Sequence, residues 1–576
     1  MNGVNFLIGV VPKAHQVAVV DEFFELFKTP WEFSRPDRSY DVVIATADEI
    51  PDVNPKLLLV CGPTKKEIDT RFGFVARERS QRAVLKERGS LVPIYGELLT
   101  FADGGNRTCC VAASSGIACL RVATLDSALI RLGYDLFDEV EFLLSVGQPV
   151  EYAHIPTLEI HIRMLREWIL QAGVPFIEIL PVPAKHSFVA CLTHDIDFVG
   201  IRNHRCDHSM WGFIYRATIG TLQRCLRGRL SLMNVLRSWL AVASLPLVYA
   251  GWAKDFWEPF EWYLAVENGL PATYFLIPFK GQPGENVAGN QGSRRAASYD
   301  LRDHSQEIAV LRKQGCELGV HGIDAWHSAD KGRQEAAAIT AITGESSLGV
   351  RIHWLLRGAN TPLVLEQAGF AYDSTSGYNE TIGYRAGTSQ VFCPLGNSKL
   401  LELPLHIQDG ALFYSRKLNL SEPEAEKRCQ VLIENAGNFG GVLTVLWHDR
   451  SHGPERFWGD FYVRLVQRLR SLDCWFGTAG QVVTWFRKRR EVRFPSAEAP
   501  DNSTVRFHYE GERIDPPLRI RVHTPTHACD RGESVNALAS EFIDISWNGN
   551  SVEELERQVA SRTFGAFHFI AQRSLA

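Results

Sequence analysis

The chain has 576 residues, of which 45% are hydrophobic and 22% charged, and its formal net charge is −5. This is the composition of an ordinary soluble globular protein, long enough for two or three domains. It lacks the basic surplus that recognises phosphate backbones, so nucleic acid is not an expected partner.

The first part, residues 1–184, alternates short apolar strands ("YDVVIAT", "KLLLVCG") with helical stretches such as "EIHIRMLREWILQAG". This predicts an α/β domain, and no chemical motif stands in it. The opening "MNGVNFLIGVVPKAHQ" has no basic segment and only a short apolar run, unlike a signal peptide. The 12 cysteines are scattered without CxxC spacing, and Cys109 and Cys110 are adjacent in an apolar run. Buried thiols in a reducing compartment, the cytoplasm, are therefore expected rather than a disulfide framework.

Residues 185–495 read as strand and helix in alternation. The predicted strands are "SFVACLTHD", "PATYFLIPF", "CELGVHG", "VRIHWLL", "FAYDST", "LLELPLHI" and "GVLTVLWHD". A helical insertion at about 204–268 separates the first two. Within it "HRCDH" sets His204 and His208 at i, i+4 on a helix, but no third zinc ligand is seen and a structural role is expected. Ser238 to Ala253 carries no charge, is too short to span a bilayer and contains Pro246. A buried helical hairpin is the expected reading. Peripheral contact with the inner face of a membrane through residues 230–253 is the alternative, helped by Arg216, Arg224, Arg227, Arg229 and Arg237. Further on, one helix is predicted from an N-cap at Asp303 to Gly315, another from Ser421, with Glu424 in capping-box spacing, to Gly437. From 496 to 576 short alternating strands ("STVRFHYEG", "LRIRVHTP", "EFIDISWNG") predict a small β-rich appendage.

Seven strands alternating with helices predict a parallel α/β barrel, in which reactive groups sit at the C-terminal strand ends. Asp195 and Asp197 end the first strand and His321 the third. Arg351 and His353 lie on the fourth, and His448 with Asp449 ends the seventh. One carboxylate and two imidazoles can hold a divalent metal that activates water. A further carboxylate can take the water's proton, and a separate imidazole can protonate a leaving group. This is equipment for hydrolysing an amide or ester. No glycine-rich phosphate loop or Gly-x-Ser-x-Gly elbow is present, against NTPase and serine-hydrolase readings.

In that order "LTHDID", "ELGVHGIDAWH", "VRIHWLLRGAN" and "LTVLWHD" resemble the successive motifs of the polysaccharide deacetylase (NodB-homology, carbohydrate esterase) family, in its intracellular branch with a spaced Asp-x-Asp. The resemblance implies a distorted (β/α)7 barrel and metal-dependent removal of N- or O-acetyl groups from an acetylated sugar or polysaccharide precursor. It implies Asp195 as general base, with Arg351 bracing it, and His448 as proton donor. It implies Asp197, His321 and His327 as ligands of one divalent metal ion, Zn²⁺ being expected. The family spacing would put the second histidine at Ala325, so His327 is the nearest candidate and Asp324 the fallback. Arg385, Trp326 and Asp449 are expected to contact substrate, and Trp354 and Trp447 to stack on sugar faces. His353, His406 and His194 are expected as packing or supporting groups. A non-catalytic carbohydrate-binding or scaffold protein on a degenerate barrel is the alternative function, supported chiefly by the irregular spacing after His321.

Overall fold

The computed structural model describes residues 6–49, 53–102, 108–113, 116–123, 127–285, 295–494, 504–525, 541–549 and 568–572. The side chains of Cys109 and Cys110 lie outside the described residues. The chain forms two compact units. One comprises Ser187–Arg385 and Gly396–Val483, the other Met1–His186, Ala386–Leu395 and Thr484–Ala576.

The first of these contains a parallel sheet built from all seven predicted strands. They are β1 (Phe188–Ile196), β2 (Ala272–Leu276), β3 (Glu317–Gly322), β4 (Gly349–Ile352), β5 (Tyr372–Asp373), the pair β6 (Leu401–Glu402) and β7 (Ile407–Gln408), and β8 (Val442–Leu446). The order is β6-β5-β4-β3-β2-β1-β8-β7. Because β6 and β7 belong to one continuous segment, the two ends of the sheet meet there. Leu403 and Leu405 donate backbone hydrogen bonds to Asp373 and Ser376 on one side, and His406 donates to Thr444 on the other. The sheet is thus curled into a distorted seven-stave barrel, with a ninth strand, Cys474–Phe476, paired beside the start of β1.

Side chains alternate across a strand, and here the alternation sorts chemistry from packing. Phe188, Ala190, Leu192 and Ile196 of β1, Leu318 and Val320 of β3, Val350 and Ile352 of β4, and Leu443 and Val445 of β8 share one apolar cluster with the surrounding helices. The intervening residues Thr193, Asp195, His321 and Arg351 occupy the opposite face, inside the barrel. β1 is buried along its whole length, which is why its sequence shows a continuous apolar run rather than alternation.

The expected helix ends shift slightly. Asp303 is not the cap: a 3₁₀ turn, Leu301–His304, is capped by Asp300, and the α-helix begins at Ser305. The helix from Ser421 carries its capping box with Glu424 but runs to Phe439, two residues past Gly437, and stops at Gly440. Gly437 has open space around its Cα and keeps a helical backbone, so nothing ends the helix there. In the insertion, α1 (His208–Tyr215) starts only at His208, so His204 and His208 do not share a helix. His204 lies 2.7 Å from Asp207, the cap of α1. After a π-turn follow α2 (Thr221–Leu226), α3 (Leu232–Tyr249) and α4 (Phe260–Glu267). The expected burial of this hairpin does not hold: only 22% of α3 is buried.

The other unit has an 11-stranded mixed sheet. Five strands run parallel in the order Trp31–Phe33, Ile8–Val11, Val42–Ala45, Leu57–Cys61 and Ala128–Leu132, and antiparallel strands continue it. The same unit holds a second sheet, in which Phe176–Pro183 pairs antiparallel with Leu518–Thr524 and that strand with Glu541–Trp547. Glu178 ties this sheet together, accepting from Arg166 and lying 2.7 Å from His523.

Candidate active site

The spacing of Asp195 and Asp197 has a simple consequence. Two residues apart on an extended chain, both carboxylates point to the barrel interior. Parallel pairing of β3 with β4 places His321 beside Arg351, and His353 stands two residues beyond Arg351 on the same inner face. Five polar groups from three strands therefore meet at one rim.

Asp197, His321 and His353 offer ligand atoms that all lie within 4.8 Å of one another. Asp197 Oδ1 is 3.3 Å from His321 Nε2 and 3.2 Å from His353 Nδ1, and those two nitrogens are 2.9 Å apart. Tetrahedral ligands on metal bonds of about 2.1 Å are separated by roughly 3.4 Å, so the spacing suits a cation at their centre. Two further observations favour that fit. His321 Nδ1 lies 2.9 Å from the Arg351 carbonyl, where it donates and leaves Nε2 as the lone-pair atom facing inward. Asp197 Oδ1 is buried without a hydrogen-bond partner despite its two close neighbours. Burial opposes the charge of Asp197, but His353 and His321 hold its carboxyl well below the usual range. Burial lowers the pKa of His353, against the pull of the Asp197 carboxylate beside it.

His327, the expected second imidazole, does not join this group. Glu335 accepts from the backbone of Ile323 and Asp324 at 3.1 and 2.7 Å, and Ala325 is buried in the core. The chain is thereby turned away from the rim, and His327 Nε2 lies 3.3 Å from Asp324 instead. Asp324 also accepts from Glu285 N at 2.8 Å and is not among the three ligands. His353, expected only as a supporting group, occupies the position. The chain reverses immediately after it, with Trp354 and Leu355 at φ of +65° and +52°, a conformation costly for bulky residues. Period-2 alternation in "VRIHW" puts residues 351 and 353 on one face, and that spacing was the available signal for His353.

Asp195 stands beside this group, its Oδ2 3.8 Å from His321 Nε2. Its Oδ1 accepts from Arg351 Nη1 at 2.9 Å. Arg351 is fully buried and spends its other donors on Thr193 Oγ1, Ser374 O and Ser374 Oγ, with Phe275 stacked 4.5 Å away. Arg351→Met would leave the Asp195 carboxylate buried without its partner. The folded state is expected to lose about 3–5 kcal/mol, read as a lower urea midpoint at unchanged slope.

His448 follows β8, facing the group from the other side of β1. A residue not singled out in the sequence, Asp409, holds it. His448 Nδ1 is 2.5 Å from Asp409 Oδ1, the His448 amide donates to Oδ2 at 2.9 Å, and Ser451 Oγ donates to the same oxygen. Burial alone would lower the pKa of His448, but the Asp409 carboxylate outweighs it and pushes it up to about 10. Asp409 directly follows β7, so the strand-end position was its signal.

The expected substrate contacts are placed unevenly. Asp449 is buried, and burial together with the negative charge of Asp197 pushes its carboxyl up to about 8. Arg385 is half-buried, 5.6 Å from the Tyr378 ring. Trp326 packs 4.8 Å from the His327 ring, with the group around Asp324. Trp354 is half-buried, whereas Trp447 is fully buried and cannot stack on a sugar. His406 accepts from the Thr444 amide, and His194 is buried 2.6 Å from Glu267, both packing roles as expected.

No family model and no curated protein matches the chain. Among solved structures it is similar to Agd3, a carbohydrate deacetylase, at 8% identity over 92% of this chain and 93% of that one, with a TM-score of 0.34. A probable polysaccharide deacetylase from Pseudomonas aeruginosa PAO1 aligns at 14% identity over 56% and 97% of the two chains, also with a TM-score of 0.34. Puue allantoinase aligns at 14% identity over 52% and 91%, with a TM-score of 0.32. Overlaps this loose leave the reading of the site to its own residues.

Proposed function

We propose that the chain is a metal-dependent hydrolase that removes acetyl groups from a carbohydrate. The observation that carries this is the meeting, at one barrel rim, of three ligand atoms with a braced carboxylate and a carboxylate-bound histidine. Asp197, His321 and His353 would hold the metal, and one carboxylate with two imidazoles is a donor set that suits Zn²⁺. When bound, such an ion polarises an acetyl carbonyl and lowers the pKa of water.

The residues of the chain do the rest. Arg351 occupies one oxygen of Asp195 and orients the carboxylate, so its other oxygen accepts the proton of the attacking water. Asp409 fixes Nδ1 of His448, which leaves Nε2 to donate a proton to the departing amine or alcohol. With its pKa at about 10, His448 is protonated at neutral pH, as a general acid must be. His353 supplies the second imidazole that the motif after His321 lacks, and so removes the main ground for a non-catalytic scaffold.

The test is acetate release from N- and O-acetylated mono- and oligosaccharides by the full chain loaded with Zn²⁺. Release is expected to fall to background in Asp195→Asn, with metal content unchanged. Equal release by that variant would overturn the assignment of the base. No release from any acetylated sugar by the metal-loaded chain would overturn the deacetylase reading.

A further inference from the structure

The helical insertion presents a large face that the barrel chemistry does not use. Between His208 and Lys254 the sequence contains no aspartate or glutamate, against five arginines and Lys254 itself. Twelve of the twenty-three exposed large hydrophobics among the described residues fall between Trp211 and Trp252. Such concentration is foreign to a solvent-facing surface, where apolar side chains scatter singly.

The two arms of the insertion both point these residues outward. On α1, the π-turn and α2, Trp211, Tyr215, Ile219, Leu222 and Leu226 recur every three or four residues, one helical stripe. α3 is apolar on both sides. Val235, Leu245 and Val248 are buried, the last two in a cluster with Phe213, Ala217 and Trp257. Leu232, Met233, Leu236, Trp239, Leu240 and Leu247 form its exposed side, with Leu232 76% exposed. Trp252, just beyond, is 82% exposed. Arg227, Arg229 and Arg237 are also exposed, and the latter two hydrogen-bond to Asn419 and Asn234, which leaves their charge uncompensated by those partners.

We propose that this face docks the protein on an anionic membrane surface. The apolar side chains enter the acyl boundary, and the arginines engage headgroup phosphates. Charge complementarity selects this occupant, since the whole segment is cationic and a lipid surface supplies both the apolar phase and the anions. Three exposed tryptophans on the same segment suit the headgroup level. Where α2 passes into α3, a cavity of about 890 Å³ is lined by Arg216, Arg224, Arg227, Arg229 and Arg456 against three carboxylates. It offers a receptor for a headgroup phosphate beside the apolar face. Peripheral docking fits better than spanning. At 18 residues α3 is about 27 Å long, short of the roughly 30 Å hydrocarbon core, and it carries exposed Arg237 a third of the way along.

The test is co-sedimentation of the full chain with vesicles of phosphatidylcholine alone or with about 30% phosphatidylserine. Binding to the anionic vesicles is expected, at least tenfold tighter than to neutral ones and weakened by salt. Arg227→Glu with Arg229→Glu is expected to weaken it by about 25-fold or more, at about fivefold per charge removed. Leu236→Ser with Leu240→Ser should weaken it by more than tenfold, with thermal unfolding unchanged since both positions are exposed. No sedimentation with either vesicle overturns the proposal. So does concentration-dependent dimerisation that the leucine variant abolishes, because the face is then covered by a second copy. Protein that detergent releases but salt does not would indicate a spanning helix, and overturns peripheral docking.

Discussion

Replacing His353 by alanine is expected to abolish stoichiometric Zn²⁺ binding, while His327→Ala keeps it. His353 Nδ1 lies 3.2 Å from Asp197 Oδ1 and 2.9 Å from His321 Nε2, within the only compact group of donors at the rim among the described residues. Losing a group that merely supports a ligand costs roughly 10–100-fold in affinity, so losing a ligand should exceed 100-fold. His327 is pinned to Asp324 on a segment anchored by Glu335, and its removal should leave metal content within twofold of the parent chain. Metal content after gel filtration, with titration calorimetry of the stripped protein, separates the two cases without any assay of turnover. Retained stoichiometric metal in His353→Ala together with its loss in His327→Ala would sink the assignment.

Asp409→Asn should move the alkaline limb of the pH–rate profile downward by several units. In the parent chain the Asp409 carboxylate outweighs burial and keeps His448 protonated up to about pH 10. An amide at position 409 cannot supply that charge, and His448 returns toward the ordinary imidazole value of about 6.5 or below. At pH 8.5 only about 1% of the acid form then remains, so acetate release should fall roughly 100-fold, whereas near pH 5.5 the two proteins converge. His448→Ala should lose about 10²–10⁴-fold at every pH and show no such limb. A uniform loss in Asp409→Asn, with the limb unmoved, would make Asp409 a packing residue only. The pair also bears on stability. A histidine whose folded pKa is raised contributes fully below its unfolded value and loses that contribution as pH rises through about 10.

The order of the strands, their inner-face residues and the seven-stave architecture were legible in the chain itself. Several strands, "SFVACLTHD" and "GVLTVLWHD" among them, are short apolar runs ending in polar residues, and period-2 geometry obliges Asp195 and Asp197, or Arg351 and His353, to share a face. Local signals did the same for the capping box at Ser421, which needs only residues three apart.

What the sequence could not settle depended on contacts between distant segments. That His353, and not His327, lies beside Asp197 and His321 goes with a contact further along the chain: Glu335, twelve residues beyond Ile323, accepts from the Ile323 and Asp324 backbone and holds that loop. Asp409 acquired its place only when β7 paired with β8 and brought it against His448, 39 residues on. The insertion was read from its apolar content as a buried hairpin. Content alone cannot tell which side of a helix finds a partner, and only tertiary packing covered Val248 while leaving Leu232 and Trp252 open. By itself, then, the sequence determined periodicity, and with it which residues face inward. The tertiary structure decided which of those residues meet, because that depends on which loops are anchored by groups far away in the chain.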